Sequence, residues 1–199
     1  MVKKVFDFVF SWIGLLILLP VLIVISVVVK LDSKGSVFYS QQRVGKDGRL
    51  FSLFKIRTMH LDADKLTAIT VGKRDPRITR IGYYLRKYKL DELPQLLNVL
   101  KGEMSLVGPR PELKKFVDLY NQEQCEVITV RPGITDLASI EYRNENEMLH
   151  GKADPIDFYI HEIMPLKLEL NRHYIRNQSL GLDLKIIFTT FFSIFKNER

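Results

Sequence analysis

Apolar residues run without a charged side chain from Phe8 to Val29, as FVFSWIGLLILLPVLIVISVVV. Twenty-two residues of helix at 1.5 Å each extend for roughly 33 Å, about one bilayer hydrocarbon thickness, so this stretch is expected to lie in lipid. It is too long for a signal peptide, and no small-residue cleavage pattern follows it. Pro20 sits near its middle, where it removes one helical hydrogen bond and predicts a kink. Lys3 and Lys4 precede the run and Lys30 and Lys34 follow it. Basic flanks at both ends do not orient a spanning helix, and they equally suit a helix that enters and leaves by one face. Both arrangements stay open from pattern alone.

Beyond the apolar run the periodicity changes. SVFYSQQRVGKDGRLFSLFKIRTM predicts two strands around a turn at Gly45 to Gly48, a β-hairpin. Asp62 to Arg80 is polar and predicts a loop after a short helix. Ile78, Ile81, Leu85 and Tyr88 recur at helical spacing. From Asp91, DELPQLLNVLKG predicts a new helix, with Asp91 as N-cap, Pro94 in the first turn and Gly102 as the stop. PELKKFVDLYNQEQCEVI has the spacing of an amphipathic surface helix, VRPGITDLASIEYR reads as a loop running into an extended segment, and Asp157 to Asn177 predicts a helix interrupted near Pro165. At the end Leu184, Ile187, Phe188, Phe191, Phe192 and Phe195 share a broad face, with Lys185 and Lys196 near its limits. That pattern fits a helix lying on a bilayer, and it also fits a terminal helix packed on the core. The predicted fold class is α+β: a membrane helix over residues 1–30, then a mostly helical membrane-associated catalytic domain over 31–199 with a small hairpin and interfacial helices.

Composition narrows the partners. Thirty Lys and Arg against 23 Asp and Glu leave a net charge of +7, which favours phosphate-rich ligands or an anionic membrane face. Cys125 is the single cysteine, so no intrachain disulfide can form and a reducing, cytosol-facing compartment fits. No ribonucleoprotein, zinc-finger or helix-turn-helix signal is present, and nucleic acid is not an expected partner. Neither glycine-rich phosphate loop, GxxxxGK[ST] or GxGxxG, occurs, which leaves ATP-type binding without support.

The chemistry centres on two motifs. In VGPRPE, prolines on both sides hold the backbone around Arg110 extended, and a guanidinium offers phosphate a planar two-point contact. An Arg paired to a carboxylate beside a proline turn is the plainer alternative. Lys55, Arg57, Lys73, Arg74, Arg77, Arg80 and Arg131 extend the basic inventory. Asp91 and Glu92 form an acidic pair inside this positive region. A carboxylate at a helix start among cations is expected to be ionised, and so able to attack phosphorus and split one displacement into two. Two anions meeting still need a counterion, for which magnesium held by a carboxylate and phosphate oxygens serves. DAD, Asp62 to Asp64, matches the D-x-D pattern of metal-dependent glycosyltransferases, but the alternating strands and helices of their folds are not apparent.

The chain resembles the small monotopic phosphoglycosyl transferases, bacterial sugar transferases that act on polyprenyl phosphate. The resemblance rests on the apolar helix with Pro20, FYSQQRVGKDGRLFSLFKIRTM, DPRITRIGYYLRKYKLDELPQLLNVLKGEMSLVGPRPE, VRPGIT and LGLDLKIIF, in the family's order over most of the chain. It implies transfer of a sugar 1-phosphate from a UDP-sugar to polyprenyl (undecaprenyl) phosphate, with release of UMP. By motif match it makes Asp91 the nucleophile and Glu92 its partner, both of them magnesium ligands, and Lys55, Arg57, Arg110 and Arg131 the phosphate contacts. It makes Pro20 the break of a re-entrant helix, and it implies the bacterial inner membrane with the catalytic domain facing the cytoplasm. Oligomeric state stays open, with a homodimer among the expectations. Three positions depart from the family pattern: Leu19 where serine often precedes the proline, DLASI at Asp136 to Ile140, and Asn171 where an acid is often found. A non-catalytic membrane scaffold that binds polyprenyl phosphate or a pathway partner is the alternative from another class.

Overall fold

The structure is a computed structural model that describes residues 1–61, 63, 70–72 and 75–195. Asp62 and Asp64 of DAD, together with Lys73, Arg74 and Lys196, lie outside the described residues.

The apolar run forms one helix, α1, Val2–Asp32. Pro20 lies inside it and the helix continues past it, with the one backbone hydrogen bond that a proline cannot donate missing there. Most of its surface is exposed, Phe8, Trp12, Ile17, Ile23 and Val24 among it. A narrow stripe of Leu22, Ile25 and Val29 packs on Ile56 and Leu85.

Strands β1, Phe38–Val44, and β2, Leu50–Ile56, pair antiparallel in the predicted hairpin, with Asp47 in the left-handed conformation at the turn. Thr79 caps α2, Arg80–Lys87, by accepting from Gly82 N. A 3-10 turn, Leu90–Glu92, leads to α3, Gln95–Leu100. Asp91 is therefore not an N-cap. Pro94 takes that position, and Gly102 follows the helix at φ +78 as expected of a stop residue.

Two further expectations are corrected downstream. The segment after Pro111 is not one helix but α4, Lys114–Val117, and a separate 3-10 stretch, Gln124–Thr129. Asn121 and Gln124 exchange side-chain to backbone hydrogen bonds at 2.9 Å, a local closure that competes with helix continuation. The VRPGITDLASIEYR segment yields β4, Gly133–Thr135, paired parallel with β3, Ser105–Val107, and then a helix, α5, Leu137–Glu141. Asp136 caps that helix by accepting from Ser139 N, a start signal hidden in a stretch that read as extended.

After α6, Glu145–Leu149, and α7, Pro155–Phe158, a π-helical turn, Tyr159–Ile163, runs into α8, Met164–Arg176. The widened turn ends next to Pro165, the position of the predicted interruption. Its side chains join Phe116, Val127, Leu149, Met164 and Leu168 in the main core. The last helix, α9, Leu180–Phe195, buries Asp183 and Ile186 and exposes Leu184, Phe188, Phe191 and Phe192. The architecture is α+β. Its strands form two separate pairs among the described residues, not the alternating sheet that a nucleotide-diphosphate fold around D-x-D would need.

Candidate active site

The acidic pair is held by backbone before side chains enter. Lys89 adopts a left-handed conformation, φ 56 and ψ 20, which turns the chain sharply out of α2 and into the Leu90–Glu92 turn. Asp91 and Glu92 are both buried there, 6% and 7% exposed. Carboxylates so enclosed need partners or must lose charge, and the two acids meet that demand differently.

Glu92 is paired. Arg110 Nη2 donates to Glu92 Oε1 at 2.5 Å and Nη1 to Oε2 at 3.4 Å, and Lys55 Nζ lies 3.5 Å from Oε1. Burial alone would push its carboxyl up, but Arg110, Lys55 and Lys89 together hold it well below the usual carboxylate range. Asp91 Oδ1 has no hydrogen-bond partner. Burial, reinforced by the neighbouring Glu92 charge, pushes the Asp91 carboxyl up against the opposing pull of Lys55, Lys89 and Arg86. Among cations, then, desolvation still outweighs their pull on Asp91, whose charge is held less firmly than that of Glu92.

The four cations come from separate elements. Lys55 is on β2, where burial lowers its ammonium to about 8 against the opposing effect of Glu92. Asn98, fully buried on α3, fixes how that strand meets the pair. Its Oδ1 accepts from Phe54 N at 3.1 Å and its Nδ2 donates to Ser52 O at 2.8 Å, so one carboxamide takes the place of a third strand along the edge of β2. Arg86, on α2, donates to Thr58 Oγ1 at 2.9 Å and Thr70 Oγ1 at 3.1 Å. Arg110 follows β3, and its backbone N donates to Asp136 Oδ2 at 3.1 Å while Asp136 Oδ1 caps α5. One fully buried carboxylate therefore ties the PRP segment to β4 and α5.

The structure brings together Asp91, Glu92, Lys55 and Arg110 of the sequence-predicted site. Arg57 lies elsewhere: its guanidinium donates to Ser33 O at 2.8 Å and to Lys34 O, tying the end of α1 to the domain. The Arg131 guanidinium rests against Gly102, and it is not among the leading charges that act on the acidic pair. Arg86, Lys89, Asn98 and Asp136 were missed by motif reasoning. Asp136 had been noted as a departure from the family pattern, and it proves to be a buried anchor for Arg110. Asn171, another departure, is buried with Oδ1 unpartnered, beside a cavity that also touches Arg110 and Glu112.

An apolar helix long enough to cross a bilayer is seated on an α+β domain, where a buried acidic pair is faced by four cations, a donor set suited to anionic ligands. Residues 1–197 match the family described as bacterial sugar transferase, and the chain belongs to that family. A Bacillus subtilis (strain 168) protein named for undecaprenyl-phosphate N-acetylgalactosaminyl 1-phosphate transfer is 44% identical over 77% of this chain and 82% of its own length. The exopolysaccharide production protein ExoY of Rhizobium meliloti (strain 1021) is 34% identical over 96% and 84%. A UDP-N-acetylgalactosamine-undecaprenyl-phosphate N-acetylgalactosaminephosphotransferase of Aeromonas hydrophila is 38% identical over 95% of this chain and 42% of its own length. The chain spans between 35% and 42% of the length of the larger relatives it matches.

Proposed function

We propose that the chain transfers a sugar 1-phosphate from a UDP-sugar to a polyprenyl phosphate through a covalent intermediate on Asp91. The observation that carries this is the division of labour in the acidic pair: Glu92 is occupied by Arg110 and Lys55, while Asp91 has an unpartnered buried oxygen. An Asp91 oxygen attacks the sugar-bearing phosphorus of the donor, the bond from that phosphorus to the UMP oxygen breaks, and UMP leaves. A phosphate oxygen of the lipid acceptor then attacks the same phosphorus, the bond to Asp91 breaks, and the carboxylate is restored. Lys55 and Arg110 offset charge as the phosphates approach, and burial of the site strengthens both contacts.

The residues present fit magnesium. The ion is usually held by one or two carboxylates and by phosphate oxygens, so the free Asp91 oxygen beside Glu92 is sufficient on the protein side. No group of three metal-binding side chains occurs among the described residues, and none is needed for that mode. When bound, the ion would neutralise charge between the two phosphates. Mixing purified protein with a panel of UDP-sugars and polyprenyl phosphate tests the assignment. UMP release and transient labelling of the protein from the labelled sugar-phosphate are expected. Absence of both across the panel would point to the scaffold alternative.

Activity is expected to have an alkaline limb near pH 8, because Lys55 loses its charge there. The check is kcat/KM against pH, in which Lys55→Arg moves the limb to higher pH. A limb unmoved by that substitution would remove Lys55 from phosphate binding.

A re-entrant placement of α1, with both ends on the face that carries the catalytic domain, is supported by the contacts at the helix's two ends, and we assign that face to the cytoplasm. Near its start, Lys3 Nζ meets Asp183 Oδ2 at 2.6 Å, and Asp7 accepts from Ser105 Oγ at 2.8 Å and Leu106 N at 3.2 Å. Near its finish, Asp32 accepts from Ile81 N at 3.3 Å and Arg57 holds Ser33 O. A helix crossing the bilayer would put one of these ends on the far side from the domain that both ends touch. In a Cys125→Ser background, a cysteine placed before Lys3 should be labelled only from the cytoplasmic side, and labelling from outside alone would refute the placement.

A further inference from the structure

Among the described residues only Asp47 and Lys89 combine a side chain with positive φ. Asp47 serves the hairpin turn, where aspartate tolerates the left-handed conformation well. Lys89 has no such excuse. Glycine or asparagine would make the same bend with less strain, and the bend stands two residues before the proposed nucleophile. Strain retained at such a place points to a use for the side chain.

The surroundings indicate the use. Four cations act on the acidic pair, and three are engaged: Arg110 and Lys55 with Glu92, Arg86 with Thr58 and Thr70. Lys89 is exposed, and its ammonium has no hydrogen bond or ion pair among the described residues. Its backbone is what the turn uses, accepting from Glu92 N at 3.3 Å and donating to Arg86 O at 3.1 Å. An uncommitted, solvent-exposed ammonium thus acts on a site whose attacking oxygen is also uncommitted. We infer that the Lys89 ammonium binds a phosphate oxygen of the incoming substrate. The inference rests on the transferase reading above, and it goes beyond the motif residues, none of which is Lys89. The phosphate belongs either to the UDP-sugar or to the polyprenyl phosphate, and kinetics separate the two.

The test uses the full chain in detergent with Lys89→Gly, Lys89→Gln and Lys89→Arg. Glycine keeps the turn and relieves its strain, glutamine keeps length without charge, and arginine keeps charge. At low salt, Gly and Gln variants are expected to lose about tenfold in kcat/KM through a raised KM for one substrate, as for one lost charge-assisted contact. The substrate whose KM rises is the one Lys89 holds. The loss should shrink as salt is added, because the contact is exposed. The Arg variant should retain most of the activity, and the Gly variant should melt higher than the parent. A Gly variant with both KM values unchanged would overturn the inference and leave Lys89 as a turn residue, whatever the Gln variant does. Titration of the same proteins with UDP, and separately with a short polyprenyl monophosphate in micelles, reads the contact without turnover. If the parent releases no UMP, the transferase reading fails, and equal affinities of parent and Gly variant for both probes would then independently overturn the Lys89 contact.

Discussion

Asp91→Asn is expected to abolish labelling of the protein by sugar-phosphate, to cut turnover at least about a thousandfold, and still to leave a fold more stable than the parent at neutral pH. The catalytic loss follows because an amide oxygen cannot displace UMP and then be released as a carboxylate. The gain in stability follows from linkage. Burial raises the folded-state pKa of Asp91 above its ordinary value of 3.8, so the folded protein holds this proton more tightly than the unfolded chain does. Stability from this group is fully present below that ordinary value and is lost as pH rises through the raised one. At neutral pH the ionised carboxylate is a net cost, which asparagine removes. Glu92→Gln is the opposite case. The folded pKa of Glu92 lies well below 4.5, so its contribution is present above that value and is lost only as pH falls through the depressed one. Removing its charge leaves Arg110 and Lys55 facing a neutral amide, a loss of about 2 kcal/mol once the partial exposure of Arg110 is allowed for. Thermal melts at several pH values distinguish the two acids: a melt lowered by Asp91→Asn at neutral pH would mean that Asp91, too, is stabilised as an anion.

The elements that were legible in the sequence are those whose signal is local. Val2–Asp32 reads from its apolar run, the hairpin from its turn between two strand-like segments, and α8 from its spacing together with Pro165. The misread segments are decided by polar side chains acting over a few residues. Asn121 and Gln124 close a turn on each other in a stretch with good helical spacing. Asp136 starts a helix in a stretch that looked extended, and at the same time holds Arg110 N, a contact across 26 residues that no local pattern can reveal.

The candidate site divides in the same way. Motif carried Asp91, Glu92, Lys55 and Arg110 to one place, through the compact signatures DELPQ and PRPE and the strand segment FSLFKIRTM. Arg57 shares the basic character of Lys55 two positions away, yet the strand ends between them and Arg57 goes to the carbonyls at the end of α1. Asn98 looked like one more polar residue on α3, and its role appears only when the unpaired edge of β2 is seen against it. The ionisation of the pair was the least legible feature, since composition predicts cations nearby but not how deeply the carboxylates are buried.

Gly133→Ala is expected to disrupt the site from below, by separating β3 from β4. The two strands carry Ser105 opposite Gly133 and Val107 opposite Thr135, and the backbone bonds Ser105 N to Pro132 O, Gly133 N to Pro109 O and Gly108 N to Thr135 O hold them, at 2.8, 2.9 and 3.1 Å. A Cβ on Gly133 would stand 2.1 Å from Gly108 N and 2.4 Å from Gly108 O. Those atoms are backbone and cannot swing aside as a side-chain tip would. The crossing is as tight from the other side, because a Cβ on Gly108 would lie 2.6 Å from Arg131 O and 3.1 Å from Gly133 N. The strands must part, and Pro109 and Arg110 move with them. Overpacking of this kind, together with one or two buried backbone bonds lost, amounts to about 3–5 kcal/mol, or roughly a 10 °C fall in the melting midpoint for a chain of this size. Gly181→Ala is the control: it lies in α9 with nothing within 4 Å of an added Cβ, so its midpoint should hold or rise slightly. A Gly133→Ala protein that melts with the parent and keeps its turnover would show that Arg110 does not depend on the β3–β4 crossing for its position.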